Sequence, residues 1–108
     1  MVVRGEVWLV ALDPAVGSEI RKARPCVVVS PPEMHDYLRT VTVAPMTSGS
    51  RPAPFRVGVT FQRRHGLILL DQIRAVDKSR LIKRAGELNE NTLRETLRVL
   101  RECFADQN

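Results

Sequence analysis

A near-continuous run of β-branched residues, CVVVS at residues 26–30, constrains the fold of this chain more than any other segment. Valine is stiff at χ1 and packs well on a pleated surface. A strand that is apolar at every position, and not only at alternate ones, is typical of burial on both faces. We therefore expect a central strand here. Pro25 precedes the run and biases Arg24 towards extended backbone, so Arg24 should lie in line with the strand.

Other segments carry weaker strand patterns, separated by polar loops. Strands are predicted for GEVWLVAL (5–12), which ends at a turn-prone DPAVGS, for RTVTVAPM (39–46), for FRVGVTF (55–61) and for LILL (67–70). In FRVGVTF the apolar residues Phe55, Val57, Val59 and Phe61 share one face. PPEMHDY (31–37) predicts a turn or one helical turn, RRHG (63–66) a turn, and DQIRAVDKSR (71–80) a charged segment that leaves the sheet.

The last segment has a helical period instead. Its apolar residues recur at steps of four, three and four, at Leu93, Leu97, Leu100 and Phe104. Asn89 or Asn91 can cap the start, and TLRE fits a capping box if Thr92 is the cap. Short strands followed by one helix predict a mainly β (α+β) fold. We expect a small twisted sheet or partly open barrel forming a single domain, residues 1–108, with the helix packed on it.

The charge balance favours a polyanionic partner. Seventeen Lys and Arg against twelve Asp and Glu give a net charge of +5 over 108 residues. Nucleic acid, an anionic membrane surface and an acidic protein all fit that excess. No apolar run approaches the roughly 20 residues that span a bilayer, and the start does not resemble a signal peptide. We therefore expect a cytoplasmic protein that does not enter a membrane.

The cysteines and histidines predict no metal or cofactor. Cys26 and Cys103 are far apart and form no C-x-x-C pair, so both are expected to be buried thiols in a reducing compartment. His35 and His65 have no ligand-like spacing. Trp8 alternates with the apolar residues of the first strand and is expected in the core.

Polar residues gather where three predicted strands begin or end. They are Ser18, Glu19, Arg21, Lys22 and Arg24 in one loop, Thr47, Ser48 and Arg51 in a second, and Asp71, Gln72 and Arg74 after LILL. If these ends converge, the product is a concave site with no cysteine nucleophile, catalytic histidine or metal cluster. Such a set suits recognition or cleavage of a phosphodiester, because a fixed guanidinium can hold the phosphate and stabilise developing charge.

Taken singly, these residues leave structural roles open. Arg24 could pair with Glu19 or Asp71, and Thr47 could be a strand-end or turn hydroxyl. Asp71 could cap a turn or pair with Arg74. The residues alone do not choose between these roles and a site.

The order of several motifs is typical of one protein family. The motifs run from Arg4 to about Leu81 and are, in order, RGEVWLVALDP with GSE, RPCVVVSP, VAPMTS and LLDQIRAVDKSRL. In this combination the chain resembles the MazF/PemK/Kid toxins of bacterial toxin–antitoxin pairs. The resemblance implies an SH3-like barrel with helices, assembled as a homodimer. It also implies ribosome-independent cleavage of single-stranded RNA, usually mRNA, at short sequences, and a MazE-like antitoxin whose acidic C-terminal segment occupies the RNA groove.

The resemblance also assigns residues. Arg24 and Thr47 stand where the MazF branch has its catalytic pair. The Kid branch stresses a histidine, an arginine and an aspartate, and here those positions hold Ser18, Leu69 and Asp71. The catalytic assignment therefore follows the MazF branch, and Asp71 is expected to position the substrate or to orient Arg24. The expected RNA-contact residues are Ser18, Glu19, Arg21, Lys22, Ser48, Arg51, Asp71, Gln72 and Arg74.

The implied chemistry needs neither metal nor protein nucleophile, because the 2′-OH of RNA attacks the adjacent phosphorus. Arg24 would stabilise the phosphorane and Thr47 would hold a phosphate oxygen or the leaving oxygen. Two other functions are alternatives. One is a non-catalytic RNA-binding barrel, which needs the same charge and loops. The other is a gyrase-poisoning toxin of the CcdB kind, which would depend on the terminal helix and not on Arg24.

Overall fold

The computed structural model describes residues 1–106 and is mainly β, with one long C-terminal helix. Its seven strands are β1 Glu6–Ala11, β2 Ala23–Val28, β3 Thr40–Thr47, β4 Arg56–Phe61, β5 Arg64–Leu69, β6 Arg74–Asp77 and β7 Leu81–Glu87. The helices are α1 Pro32–His35 and α2 Glu90–Cys103, with 3-10 turns at Leu70–Gln72 and Lys78–Arg80. The predicted mainly β fold, with a short helix and a C-terminal helix, is confirmed.

The strands form one curled antiparallel sheet in the order β4-β5-β3-β2-β1-β7, and β6 also pairs with β3. Strand β3 changes partners along its length. Val43 pairs with Arg74 of β6, whereas Thr47 pairs with Leu67 of β5. Pro45 lies between these two pairings, where a residue without an N–H fits a break in the ladder. The change of partner curls the sheet into a half-barrel and carries the end of β3 towards β5.

Both faces of the sheet are covered, which explains the continuous apolar run in β2. Val27 belongs to one buried cluster, together with Ile68 and Val99 of α2. Cys26 and Val28, its immediate neighbours, belong to a second cluster on the opposite face. Successive side chains of a strand point to opposite faces, so a strand between two cores must be apolar throughout. Trp8 is half-buried and packs against the second cluster.

Helix α2 is capped by Asn89, whose side chain accepts a hydrogen bond from the Thr92 N–H at 2.8 Å. Thr92 is therefore not the cap. The buried residues of the helix are Thr96 and Val99, with Leu93 and Leu100 partly buried against the first cluster. Phe104 lies just beyond the last helical residue and is 74% exposed, so its predicted place on the apolar face is wrong.

Several boundaries differ from the sequence prediction. The β4–β5 reversal is at Gln62 and Arg63, both with positive φ, so the turn predicted over residues 63–66 is wrong for all but its first residue. Strands β6 and β7 were not predicted. Phe55 is 39% exposed and lies outside β4. No helix within residues 1–106 is long and apolar enough to cross a membrane.

Candidate active site

A cavity of about 110 Å³ opens where β2, β3, β4 and β5 meet. Its polar lining is Arg24, Thr47, Ser48, Arg64 and His65, and its apolar lining is Pro25, Met46, Val59, Phe61 and Gly66. The two residues predicted to be catalytic therefore lie in one cavity, together with Ser48. The other predicted site residues are elsewhere.

Arg24 lies on β2, opposite Val10 of β1, and is half-buried. Its Nε donates a hydrogen bond to the Arg21 carbonyl oxygen at 3.2 Å. The salt bridges within residues 1–106 do not include Arg24, so the pairings with Glu19 and Asp71 that the sequence allowed do not form. The two terminal nitrogens of the guanidinium are thus available to an anion in the cavity.

Thr47 is the last residue of β3, and its Oγ1 accepts a hydrogen bond from the Gly49 N–H at 3.2 Å. This is the turn hydroxyl that the sequence allowed, and it still leaves the hydroxyl proton free to be donated. Gly66 of β5 passes very close to this point. A Cβ at Gly66 would lie 2.7 Å from the Thr47 carbonyl oxygen, so only glycine fits here without displacing the end of β3.

Strand β5 contributes two residues that were not predicted, Arg64 and His65. His65 is exposed and lies directly opposite Thr60 of β4. Its Nδ1 is 3.1 Å from the Thr60 Oγ1. The sequence pattern predicted a turn at residues 63–66. His65 was therefore not considered as a site residue, although it lies on β5 and lines the cavity.

The third predicted polar patch lies in a separate, larger cavity of about 550 Å³. It is lined by Ser18, Glu19, Ile20, Asp71, Gln72, Ile73 and Arg74. Two of these side chains hold the β1–β2 loop in place. The Gln72 Oε1 accepts from the Ile20 N–H at 2.8 Å, and the Arg74 Nη1 donates to the Leu12 carbonyl at 3.2 Å. The three polar patches therefore divide between two cavities and do not line a single one.

Asp71 forms a salt bridge with Arg56 and not with Arg24 or Arg74. The Arg56 Nε and Nη2 donate to the two Asp71 carboxylate oxygens at 3.1 and 2.9 Å. This hydrogen-bonded pair outweighs partial burial and lowers the pKa of Asp71. Arg56 also donates to the Arg51 carbonyl at 2.9 Å. It thereby ties the β3–β4 loop to Asp71, a link that the sequence did not predict.

The remaining predicted RNA-contact residues, Arg21, Lys22 and Arg51, are exposed on the loops beside these cavities. The Arg21 Nη2 donates to the Gly17 carbonyl at 3.3 Å. Lys22 has a φ of 68°, and its N–H donates to the Asp13 Oδ1 at 3.0 Å. The backbone of this loop is thus held while its cationic side chains face outwards.

The chain matches the sequence model of the PemK-like, MazF-like toxins of type II toxin–antitoxin systems over residues 3–104. It belongs to this family. The resemblance seen in the sequence motifs is therefore confirmed.

Two curated relatives support the membership. Endoribonuclease PemK of Escherichia coli is 40% identical over 101 residues, which cover 87% of this chain and 75% of that protein. Endoribonuclease MazF of Staphylococcus epidermidis is 35% identical over 101 residues, covering 88% of this chain and 84% of that protein.

Solved structures agree with the fold of this toxin. MazF from Deinococcus radiodurans superposes with a TM-score of 0.83 at 25% identity, covering 94% of each chain. A MazE–MazF structure from the same organism gives a TM-score of 0.71 at 26% identity, again over 94% of each chain.

Cys26 and His35 are buried and line neither of the two cavities. Burial raises the pKa of the Cys26 thiol to about 12, so it stays protonated and is a poor nucleophile. Cys103 is exposed, so its predicted burial is wrong. His35 is buried, with its ring nitrogens 2.6 Å from the Ser30 Oγ and 2.9 Å from the Val2 carbonyl. Residues 1–106 contain no cluster of side chains suited to a metal ion.

Proposed function

We propose that this toxin is an endoribonuclease that cleaves single-stranded RNA, mRNA above all, in the cavity shared by Arg24 and Thr47. The observation that carries the proposal is that these two residues, from neighbouring strands, line one cavity, with Arg24 outside every salt bridge of residues 1–106. Relatives named as endoribonucleases, at 40% and 35% identity, supply the reaction class.

The cleavage is a transesterification within the RNA. The 2′-OH attacks the adjacent phosphorus and the bond to the 5′ oxygen breaks, which leaves a 2′,3′-cyclic phosphate and a 5′-OH end. The Arg24 guanidinium holds two phosphate oxygens and stabilises the charge that develops on the phosphorane, a bidentate role that Lys fills poorly. The Thr47 hydroxyl donates to a phosphate oxygen or to the leaving oxygen. The nucleophile belongs to the substrate, so neither a metal nor a cofactor is required.

The flanking loops select and hold the RNA. Exposed Arg21, Lys22 and Arg51 meet phosphates beside the cavity, and their contacts make affinity fall as salt rises. The second cavity receives neighbouring nucleotides, and its hydrogen-bonding side chains Ser18, Glu19, Asp71, Gln72 and Arg74 read or position them. Ser48 contacts RNA at the mouth of the Arg24 cavity.

The same basic surface binds the antitoxin. A MazE-like partner with an acidic C-terminal segment covers the loops and competes with RNA for Arg21 and Lys22. The toxin acts as a single domain, residues 1–108, assembled as a homodimer in the cytoplasm. The relatedness to a MazF solved together with MazE supports the antitoxin assignment.

The test is a map of new 5′-OH RNA ends across the transcriptome after brief expression of the wild type and of Arg24→Ala. We expect short-sequence cleavage by the wild type and a loss of about 10²- to 10³-fold in the variant, the usual effect of removing one preorganised donor. Lys83→Ala removes an exposed cation from β7 and is the matched control, expected to cleave normally.

Two outcomes would replace the proposal. RNA binding without any new 5′-OH ends would identify a non-catalytic RNA-binding barrel. Growth arrest that survives Arg24→Ala but is lost on changing the end of α2 would identify a toxin that acts through protein binding, as CcdB-like toxins do.

A further inference from the structure

The proposed cleavage needs a proton acceptor that Arg24 and Thr47 do not supply. The 2′-OH must lose a proton as it attacks, and an arginine is not deprotonated in proteins. A threonine hydroxyl is also a weak base at neutral pH. Positioned proton transfer usually contributes about 10²- to 10⁴-fold to such a step, and histidine is the side chain that most often provides it.

The cavity contains one histidine in a suitable setting. His65 lines it together with Arg24 and Thr47. Its Nδ1 lies 3.1 Å from the Thr60 Oγ1, on the directly opposite residue of β4. If Nδ1 donates to the Thr60 hydroxyl oxygen, the neutral ring carries its lone pair on Nε2. The other histidine, His35, is 4% exposed and has both nitrogens engaged, so it is closed to substrate.

We propose that His65 is the general base of this cleavage and that Thr60 is its positioning residue. The inference rests on the proposed ribonuclease function. The His65 Nε2 takes the proton of the 2′-OH while O2′ bonds to phosphorus. The P–O5′ bond breaks, its electron pair goes to O5′, and O5′ takes a proton from water. The imidazolium then returns its proton to solvent, so the ring is regenerated after each turnover.

The experiment measures the single-turnover cleavage rate of a saturating RNA oligonucleotide by the wild type, His65→Gln, His65→Ala and Arg24→Ala. We expect both His65 variants to be slower by about 10²- to 10⁴-fold. Their affinity for an uncleavable 2′-deoxy analogue should be unchanged, because a base acts on the reaction and not on binding. Added imidazole should restore cleavage in His65→Ala but not in Arg24→Ala. Thr60→Val should cleave more slowly than the wild type and faster than His65→Gln.

The variants separate failure of this inference from failure of the ribonuclease proposal. No cleavage by the wild type would overturn both. Cleavage by the wild type that is lost in Arg24→Ala but retained at the full rate in His65→Gln would overturn only the role of His65. Slow cleavage by His65→Ala that added imidazole does not restore would contradict the assignment of His65 as the general base. Selective rescue of His65→Gln by a substrate with a sulfur leaving group would make His65 an acid and overturn the assignment.

Discussion

Gly66 is the residue at which a single methyl group should disturb the proposed site most selectively. An alanine Cβ there would lie 2.7 Å from the Thr47 carbonyl oxygen, whereas ordinary contact begins at 3.4 Å. The difference, 3.4 minus 2.7, requires a displacement of 0.7 Å between β5 and the end of β3. The atom in the way is backbone, so no side chain can rotate to relieve the clash.

That displacement has two expected consequences. Overpacking of this kind costs about 1–3 kcal/mol of folding free energy. Each kcal/mol lowers the Tm of a domain of this size by about 4–8 °C. The displaced residue is Thr47 itself, and a misplacement of about 1 Å at a reacting centre can cost about 100-fold in rate. We therefore expect Gly66→Ala to cleave RNA about 10- to 100-fold more slowly than the wild type while still folded.

Gly58→Ala is the matched control, because a Cβ at Gly58 of the neighbouring strand β4 would meet nothing within 4 Å. Thermal unfolding and single-turnover cleavage should be measured for both variants, the latter well below the lower Tm. Equal Tm values and equal cleavage rates for the two variants would refute the argument that Gly66 sets the approach of β5 to Thr47.

Three further predictions concern charge, reactivity and capping. The pair with Arg56 lowers the pKa of Asp71, so the carboxylate adds stability above its unfolded pKa near 4, and that stability is lost as the pH falls through the lower folded pKa. The difference in unfolding free energy between the wild type and Asp71→Asn, measured in urea, should be largest near neutral pH and shrink in acid. Iodoacetamide at mildly alkaline pH should label exposed Cys103 and spare Cys26 in the native protein, as read by mass spectrometry. Asn89→Ala should lower the unfolding free energy in urea by about 1 kcal/mol, because it removes the side-chain cap of α2.

The central architecture could be predicted because its residues are buried on both faces. The run at residues 26–30 predicted a central strand, and the structure places Val27 and Val28 in opposite clusters. Strand β7 could not be predicted in the same way. It lies at the edge of the sheet, all seven of its residues are exposed or half-exposed, and its sequence LIKRAGE has no clean alternation.

The candidate site was predicted in part, for a similar physical reason. Arg24 and Thr47 lie at the ends of well-patterned strands, so the motifs located them. His65 was hidden because the hairpin turns at Gln62 and Arg63, which adopt positive φ without the Gly or Asn that usually marks such a turn. The partner of Asp71 was not predicted because Arg56 lies on β4 and Asp71 in the 3-10 turn Leu70–Gln72. Spacing along the sequence does not indicate a contact between these two elements.

In the proposed mechanism, Arg24 stabilises a phosphorane formed by attack of the RNA's own 2′-OH. The most direct test uses an RNA oligonucleotide that contains a mapped cleavage site, with and without a single 2′-deoxy sugar at the scissile position, incubated in EDTA. The all-ribose substrate should be cut to 2′,3′-cyclic phosphate and 5′-OH ends by the wild type, and about 10²- to 10³-fold more slowly by Arg24→Ala. The deoxy substrate should stay intact. Efficient cleavage of the deoxy substrate, or full activity of Arg24→Ala, would contradict the mechanism.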